Sequence, residues 1–343
     1  MKTWNIAIIG AGLIADFHAK AIQSLPNTKL VGICGTNNRK VQKLSTKYSF
    51  KAFKNEQELF ESGKPDIVTI TTPSGAHMEP AVKAAKYGVH VLCEKPLDVS
   101  PERIDKMIEA HERSGTRLGG IFNYRYNDAV RLLKKQVDSG RFGTITCASV
   151  FVPWWRTDEY YKSSWRGTWK LDGGGALINQ SVHMVDLLQY MMGSVEDLHA
   201  FIARPGHPKI EVEDTAVGIV RFSSKALGMI YGTTASYPGQ YRRLEITGTK
   251  GTVIMEENSF KVWQFADEND ADREITRKYS NIEGGGGVSD PGAIPFQPHA
   301  KNIAAFIDAL ENNLPFEIDG YEARKSVEII LRMYDSARKN GFI

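Results

Sequence analysis

The chain is 343 residues long, 42% hydrophobic and 24% charged, with a formal net charge of +3. That length predicts two domains rather than one core, and the small, scattered basic excess excludes a nucleic-acid-binding face. No apolar run approaches the roughly 20 residues of a membrane span, and the run at 5–9 is too short for a secretory signal.

Short β-branched runs at 5–9, 29–34, 51–53, 67–71, 90–93 and 118–122 alternate with helical patterns at 14–25, 39–48, 56–62, 79–87 and 101–114. Such alternation predicts βαβ units with right-handed crossovers, hence a doubly wound parallel sheet over residues 1–122. From 123 to 343 the pattern changes. A helix at 128–139, a strand at 145–152, an aromatic loop and a helix at 176–192 precede six strand-like runs, at 198–204, 215–222, 226–235, 243–247, 252–256 and 261–265. The short turns between these runs predict a second α/β domain with an open, mainly antiparallel sheet. Helices cover one face, and the other is free to bury against a second subunit. Residues 284–298, rich in Gly and Pro, read as a loop. Amphipathic helices at 299–312 and 321–339 close the chain and can pack back on the first domain. Cys34, Cys93 and Cys147 lie at or in strand-like runs and are odd in number. They read as reduced thiols in a cytoplasmic protein.

The turn Gly10-Ala11-Gly12-Leu13-Ile14-Ala15 joins the first strand to the first helix. Its glycines permit a tight bend and close approach of a pyrophosphate, and the helix start offers unpaired N–H groups. Gly10, Gly12, Leu13 and Ile14 are therefore expected against a dinucleotide. An acidic residue that would hold the ribose hydroxyls of NAD is missing at Gly35. Thr36, Asn38 and Arg39 could instead hold a 2′-phosphate by hydrogen bonds and charge. The reading leans to NADP, with NAD the alternative.

Glu94-Lys95-Pro96 ends the fifth strand, where open α/β sheets keep their ligands. Further on, Gly173-Gly174-Gly175 precedes a helical stretch on which Asn179 and His183 share a face. Asp186, three residues on, is placed to orient the imidazole. These residue types suit oxidation of a secondary alcohol. His183 would take the hydroxyl proton, the Lys95 ammonium would stabilise alkoxide charge, and Asn179 would position the hydroxyl without adding charge. No metal-ligand spacing is present, so no metal is expected. The loop Trp154-Trp155-Arg156-Thr157-Asp158-Glu159-Tyr160-Tyr161 offers flat apolar faces with polar edges, for a sugar or for subunit packing. Arg156 and Lys162 could meet an anionic substrate. Asn123, Tyr124 and Arg125 follow the sixth strand as expected cofactor or substrate contacts.

Together the glycine-rich turn, Thr71-Thr72-Pro73-Ser74-x-x-His77, Glu94-Lys95-Pro96 and the segment from Gly173 through Asn179, His183 and Asp186 resemble the Gfo/Idh/MocA family. That family is named for glucose–fructose oxidoreductase and inositol dehydrogenase. The resemblance implies an N-terminal Rossmann domain, a C-terminal sheet domain and homodimers or homotetramers built through that sheet. It implies cofactor contacts from Thr72, Pro73, His77, Glu94, Lys95, Asn123, Trp165 and Arg166. It also implies substrate contacts from Lys95, Tyr124, Arg156, Asn179 and His183. Trp165-Arg166-Gly167-Thr168-Trp169 and Ile210-Glu211-Val212-Glu213-Asp214-Thr215 are similar to UDP-N-acetylglucosaminuronate 3-dehydrogenases and glycoside 3-dehydrogenases. Many members have Asp where this chain has Asn179. The implied reaction is oxidation or reduction of a ring hydroxyl, at C3 of a pyranose. Inositol dehydrogenation, a hydrolase using NAD transiently, an aldose–ketose transhydrogenase and a non-catalytic nicotinamide sensor remain as alternatives.

Overall fold

A computed structural model describes residues 2–163, 165–280 and 295–339. The chain divides into two compact units, one of residues 1–123 with 295–324 and one of residues 124–294 with 325–343.

In the first unit, β1 (Trp4–Ile9), β2 (Thr28–Cys34), β3 (Lys51–Ala52), β4 (Ile67–Ile70), β5 (His90–Cys93) and β6 (Leu118–Gly120) form one parallel sheet in the order β3-β2-β1-β4-β5-β6. The helices α1 (Leu13–Gln23), α2 (Asn38–Tyr48), α3 (Glu56–Glu58), α4 (Met78–Lys86) and α5 (Pro101–Ser114) alternate with the strands. Ile6, Ala7 and Ile8 are fully buried, as a strand covered on both faces requires. The strand order reverses between β1 and β4, whose carboxyl ends lead into Gly10 and Thr71. Ligands of open α/β sheets bind at such a reversal.

The second unit holds α6 (Asp128–Asp138), β7 (Ile145–Pro153), α7 (Asp158–Tyr161) and α8 (Val182–Met192). Its remaining strands are β8 (Val195–Ala203), β9 (Thr215–Phe222), β10 (Leu227–Thr233), β11 (Arg243–Gly248), β12 (Gly251–Glu256) and β13 (Ser259–Phe265). They join β7 in a seven-stranded sheet, β13-β12-β11-β7-β10-β9-β8, antiparallel except where β7 meets β10. Helix α8 packs against β7. Along β8 and β9 the side chains alternate between buried and exposed, the signature of a sheet with one covered face.

A helix absent from the sequence reading, α9 (Asp270–Tyr279), follows β13. It is strongly polar and buries only Asp272 and Tyr279, so it carries no apolar stripe to reveal it. Instead, an Asn269–Asp272 capping box starts it, and Asp272 is gripped by Arg141 and by Trp263 Nε1 at 2.7 Å. Of the expected loop at 284–298, residues 284–294 lie outside the described residues. Pro298 belongs to the first turn of α10 (Gln297–Glu311), a position where the missing N–H costs nothing. Helix α10 packs on α1 within the first unit, whereas α11 (Gly320–Lys339) starts in the first unit and continues into the second. No helix among the described residues is long and apolar enough to cross a membrane.

Candidate functional site

Residues expected to act occur in both units. In the first unit, Gly10 leaves β1 with a φ of 109°. A Cβ there would lie 2.7 Å from the Thr71 carbonyl carbon, so the sequence has no choice but glycine. Gly12 begins α1 with no side-chain cap, and a Cβ on it would meet only Thr71 O, at 3.9 Å. The helix start thus keeps unpaired N–H groups, a partial positive charge and room beside them, which fits a dinucleotide pyrophosphate. Leu13 is exposed and Ile14 half-buried on the same turn. Thr36, Asn38 and Arg39 are exposed after β2. Their neighbour Asn37, missed in the sequence, caps α2 by accepting the Lys40 N–H at 3.1 Å.

Two residues expected beside the cofactor fasten loops of the fold. His77 is 1% exposed, with Nδ1 2.9 Å from Pro96 O and Nε2 2.9 Å from Thr72 O. It ties the loop after β4 to the one after β5. The other is Glu94, 6% exposed. Its Oε1 accepts a hydrogen bond from His18 Nε2 at 2.9 Å and lies 3.6 Å from His299 Nε2. Its Oε2 accepts the Lys95 N–H at 3.2 Å. Burial works to raise the Glu94 carboxyl, but His18 and His299 outweigh it and hold it well below the usual carboxylate range. Burial lowers His18 in turn. Asn123, 4% exposed, directs Nδ2 at His299 Nδ1, 3.2 Å away, which makes it a third fastener. The ligand atoms of His18, Glu94 and His299 lie within 4.8 Å of one another, a set no sequence spacing reveals. A hydrogen bond of ordinary length joins His18 to Glu94, and the three side chains form a buried strut between their elements. Lys95, half-buried, follows directly, joined to Pro96 by a cis peptide.

In the second unit, the stretch expected as one helix at 176–192 has two parts. Ala176–Ser181 is wound as a π-helical turn and α8 follows. Such turns commonly mark functional positions. Asn179 and His183 are both half-buried. Asn179 Nδ2 donates to Asp172 Oδ1, and its Oδ1 accepts from Gln180 Nε2 at 2.7 Å. Asp172 also takes the Gly167 N–H at 2.8 Å, and Gln180 Nε2 reaches Tyr160 Oη at 2.8 Å. Asp172 and Gln180 therefore fix the amide orientation of Asn179. Neither was singled out in the sequence, although Asp172 opens the glycine run.

The His183 ring stacks on Tyr124, with centroids 4.3 Å apart and planes at 28°. Arg242 lies over the Tyr124 ring at 3.8 Å and pairs with buried Glu257 at 2.9 Å. Asp186 gives its two carboxylate oxygens to Arg125, at 2.8 and 2.5 Å. That buried pair anchors α8 to the segment bearing Tyr124, so Asp186 supports His183 through the helix backbone. Arg156 is 3% exposed, donates to Gln180 Oε1 at 2.7 Å and lies 4.9 Å from the Trp154 ring. It is thus a prop for Gln180. Trp165 and Arg166 are half-buried, with Arg166 4.2 Å from the Tyr160 ring. Lys162 is exposed and paired with Glu159 at 2.5 Å.

Comparisons with known proteins agree with this layout. Residues 4–121 match the oxidoreductase family described by its NAD-binding Rossmann fold, and residues 130–254 match the GFO/IDH/MocA C-terminal domain. The WlbA dehydrogenase of Bordetella pertussis, solved with NADH and UDP-GlcNAcA, is 32% identical with a TM-score of 0.90. That likeness covers 99% of this chain and 96% of WlbA. Myo-inositol 2-dehydrogenase of Thermotoga maritima is 29% identical over 264 residues, 73% of this chain and 74% of the relative. D-glucoside 3-dehydrogenase of Escherichia coli K12 is 32% identical over 197 residues, 55% of this chain and 54% of the relative.

Proposed function

The chain belongs to the Gfo/Idh/MocA oxidoreductases, an NAD-binding sugar dehydrogenase family, and from that premise we propose that its substrate is a pyranose hydroxyl at C3. The supporting observation is the neutral, rigidly oriented Asn179 one helical turn before His183. An amide in that place can bind a second ring hydroxyl without competing for the proton that His183 must remove. The likeness to WlbA, solved with UDP-GlcNAcA, supports a sugar ring, and the likeness to D-glucoside 3-dehydrogenase supports position 3.

In this reading the nicotinamide ring, when bound, accepts or returns the hydride. His183 takes the hydroxyl proton, and its stacking on Tyr124 keeps the imidazole from turning away. Lys95, at the carboxyl end of β5, carries an ammonium suited to stabilising charge that develops on a substrate oxygen. Thr36, Asn38 and Arg39 stand ready for the adenosine ribose, and Gly35 adds no carboxylate to repel a 2′-phosphate. On that basis NADP is the proposed preference, although WlbA was solved with NADH. The proposed assembly is a homodimer or homotetramer through the exposed face of the seven-stranded sheet.

A panel of UDP-GlcNAcA, methyl glucosides, levoglucosan and myo-inositol, each with NAD and NADP, tests the reading by reduced-nicotinamide absorbance. Net reduction with the pyranoses and not with myo-inositol is expected. Lys95→Met should lower kcat by at least about 100-fold while NAD(P)H binding, read by fluorescence, stays within a few-fold. Turnover unchanged by Lys95→Met would sink the catalytic assignment. Preference for myo-inositol would overturn the pyranose reading.

A further inference from the structure

The motif Ile210-Glu211-Val212-Glu213-Asp214-Thr215 has no part in the chemistry proposed above, yet it grips three stretches of backbone. Glu211 Oε2 accepts the Trp169 N–H at 3.1 Å, and Asp214 Oδ2 accepts those of Gly206 and His207 at 2.8 and 2.6 Å. Between them, Glu213 is fully buried. Its Oε2 accepts the Gly175 N–H at 3.0 Å, and its Oε1 accepts the Leu177 N–H at 2.9 Å and the Tyr334 hydroxyl at 2.9 Å. Its own carbonyl accepts the Ala176 N–H at 3.1 Å. Three successive N–H groups at the start of the π-helical turn are thus satisfied by one residue. A helix start buried without such partners would leave them orphaned.

The glycines ahead of the turn have the same explanation. A Cβ on Gly175 would sit 1.9 Å from Glu213 O, and one on Gly174 would sit 2.0 Å from the Tyr334 hydroxyl. The close approach that the glycine run permits is therefore made by Glu213 and Tyr334. Their grip sets where the turn begins, and so where Asn179 and His183 point.

We infer that Glu213 is a positioning residue, which with Tyr334 fixes the start of the π-helical turn and thereby the orientation of Asn179 and His183 toward the sugar. The inference rests on the proposed roles of those two residues. Carboxyl and amide differ in one respect that makes a clean variant. Either oxygen of a carboxyl can accept a backbone N–H, whereas Gln has a single acceptor end. Glu213→Gln keeps the volume and abandons either Gly175 or Leu177.

Amide hydrogen exchange followed by mass spectrometry, on the full chain without substrate, provides one readout. Exchange across residues 175–181 should rise tenfold or more in Glu213→Gln, with residues 10–16 unchanged within twofold. Steady-state kinetics with UDP-GlcNAcA provide the other. There kcat should fall tenfold or more, while KM for the nicotinamide cofactor stays within twofold. Tyr334→Phe keeps the ring against Trp169 and should show the same pattern at about threefold; it decides the matter if Glu213→Gln does not fold. Unchanged exchange at 175–181 overturns the inference, and so does raised exchange with unchanged kcat. If wild-type protein turns over no sugar, the catalytic reading fails while the exchange experiment still judges the grip.

Discussion

Gly10 shows how a single backbone atom can commit a position. Its φ of 109° is costly for any side chain, and the Thr71 carbonyl carbon 2.7 Å from a would-be Cβ removes the remaining space. Gly10→Ala should therefore destabilise the first unit by about 1–3 kcal/mol and weaken NADH binding tenfold or more. Thermal melts and fluorescence titration would check both; a variant matching wild type in each would show that the turn relaxes freely. This residue was legible because a glycine pattern between a strand and a helix has one common physical cause. His77, Glu94 and Asn123 were harder. They stand in motifs that flank ligands, but a side chain's direction depends on what else is buried beside it. Glu94 points at His18 and His299, residues 76 and 205 positions away, a proximity that only folding creates.

The π-helical turn and α8 read as one helix in the sequence because both keep apolar residues inside. Glu213 meets the start of that turn, accepting the Gly175 and Leu177 N–H groups. Burial pushes the Glu213 carboxyl up to about 7, against hydrogen bonds from Leu177, Tyr334 and Gly175 that lower it. Since its folded value exceeds the ordinary 4.5, the unfolded chain ionises first as pH rises. The carboxyl's contribution is therefore fully present below about 4.5 and is lost on going up to about 7, on the order of 3 kcal/mol. Melting temperatures across that window should fall more steeply for wild type than for Glu213→Gln. Parallel curves for the two proteins would refute the shift. Helix α9 failed to register in the sequence for a different reason, since a capping box and the grip on Asp272 substitute for an apolar face.

At the scale of the whole molecule, the seven-stranded sheet leaves one face with an unusual surface. Phe201 is 69% exposed, Ile219 60% and Leu227 57%. Phe201 and Val217 are direct cross-strand partners, as are Ile219 and Met229, so apolar side chains form rows across β8, β9 and β10. A patch of this kind is what the proposed self-assembly would cover. Ile219→Lys should shift the protein to monomer in sedimentation velocity while leaving the circular dichroism spectrum unchanged. An unaltered oligomer would place the interface elsewhere.

The sequence by itself determined the two sheets and the dinucleotide turn, and it singled out Lys95, Asn179 and His183 for the proposed chemistry. Each of these rests on local periodicity or on a backbone conformation that few residues can adopt. Tertiary structure alone decided which partners the neighbouring side chains hold. It drew His18 and His299 onto Glu94, gave both oxygens of Asp186 to Arg125, buried Arg156 behind Gln180 and set Glu213 beneath the glycine run. A buried charge or N–H group takes whatever partner the fold brings within about 3 Å, and no spacing along the chain records that choice.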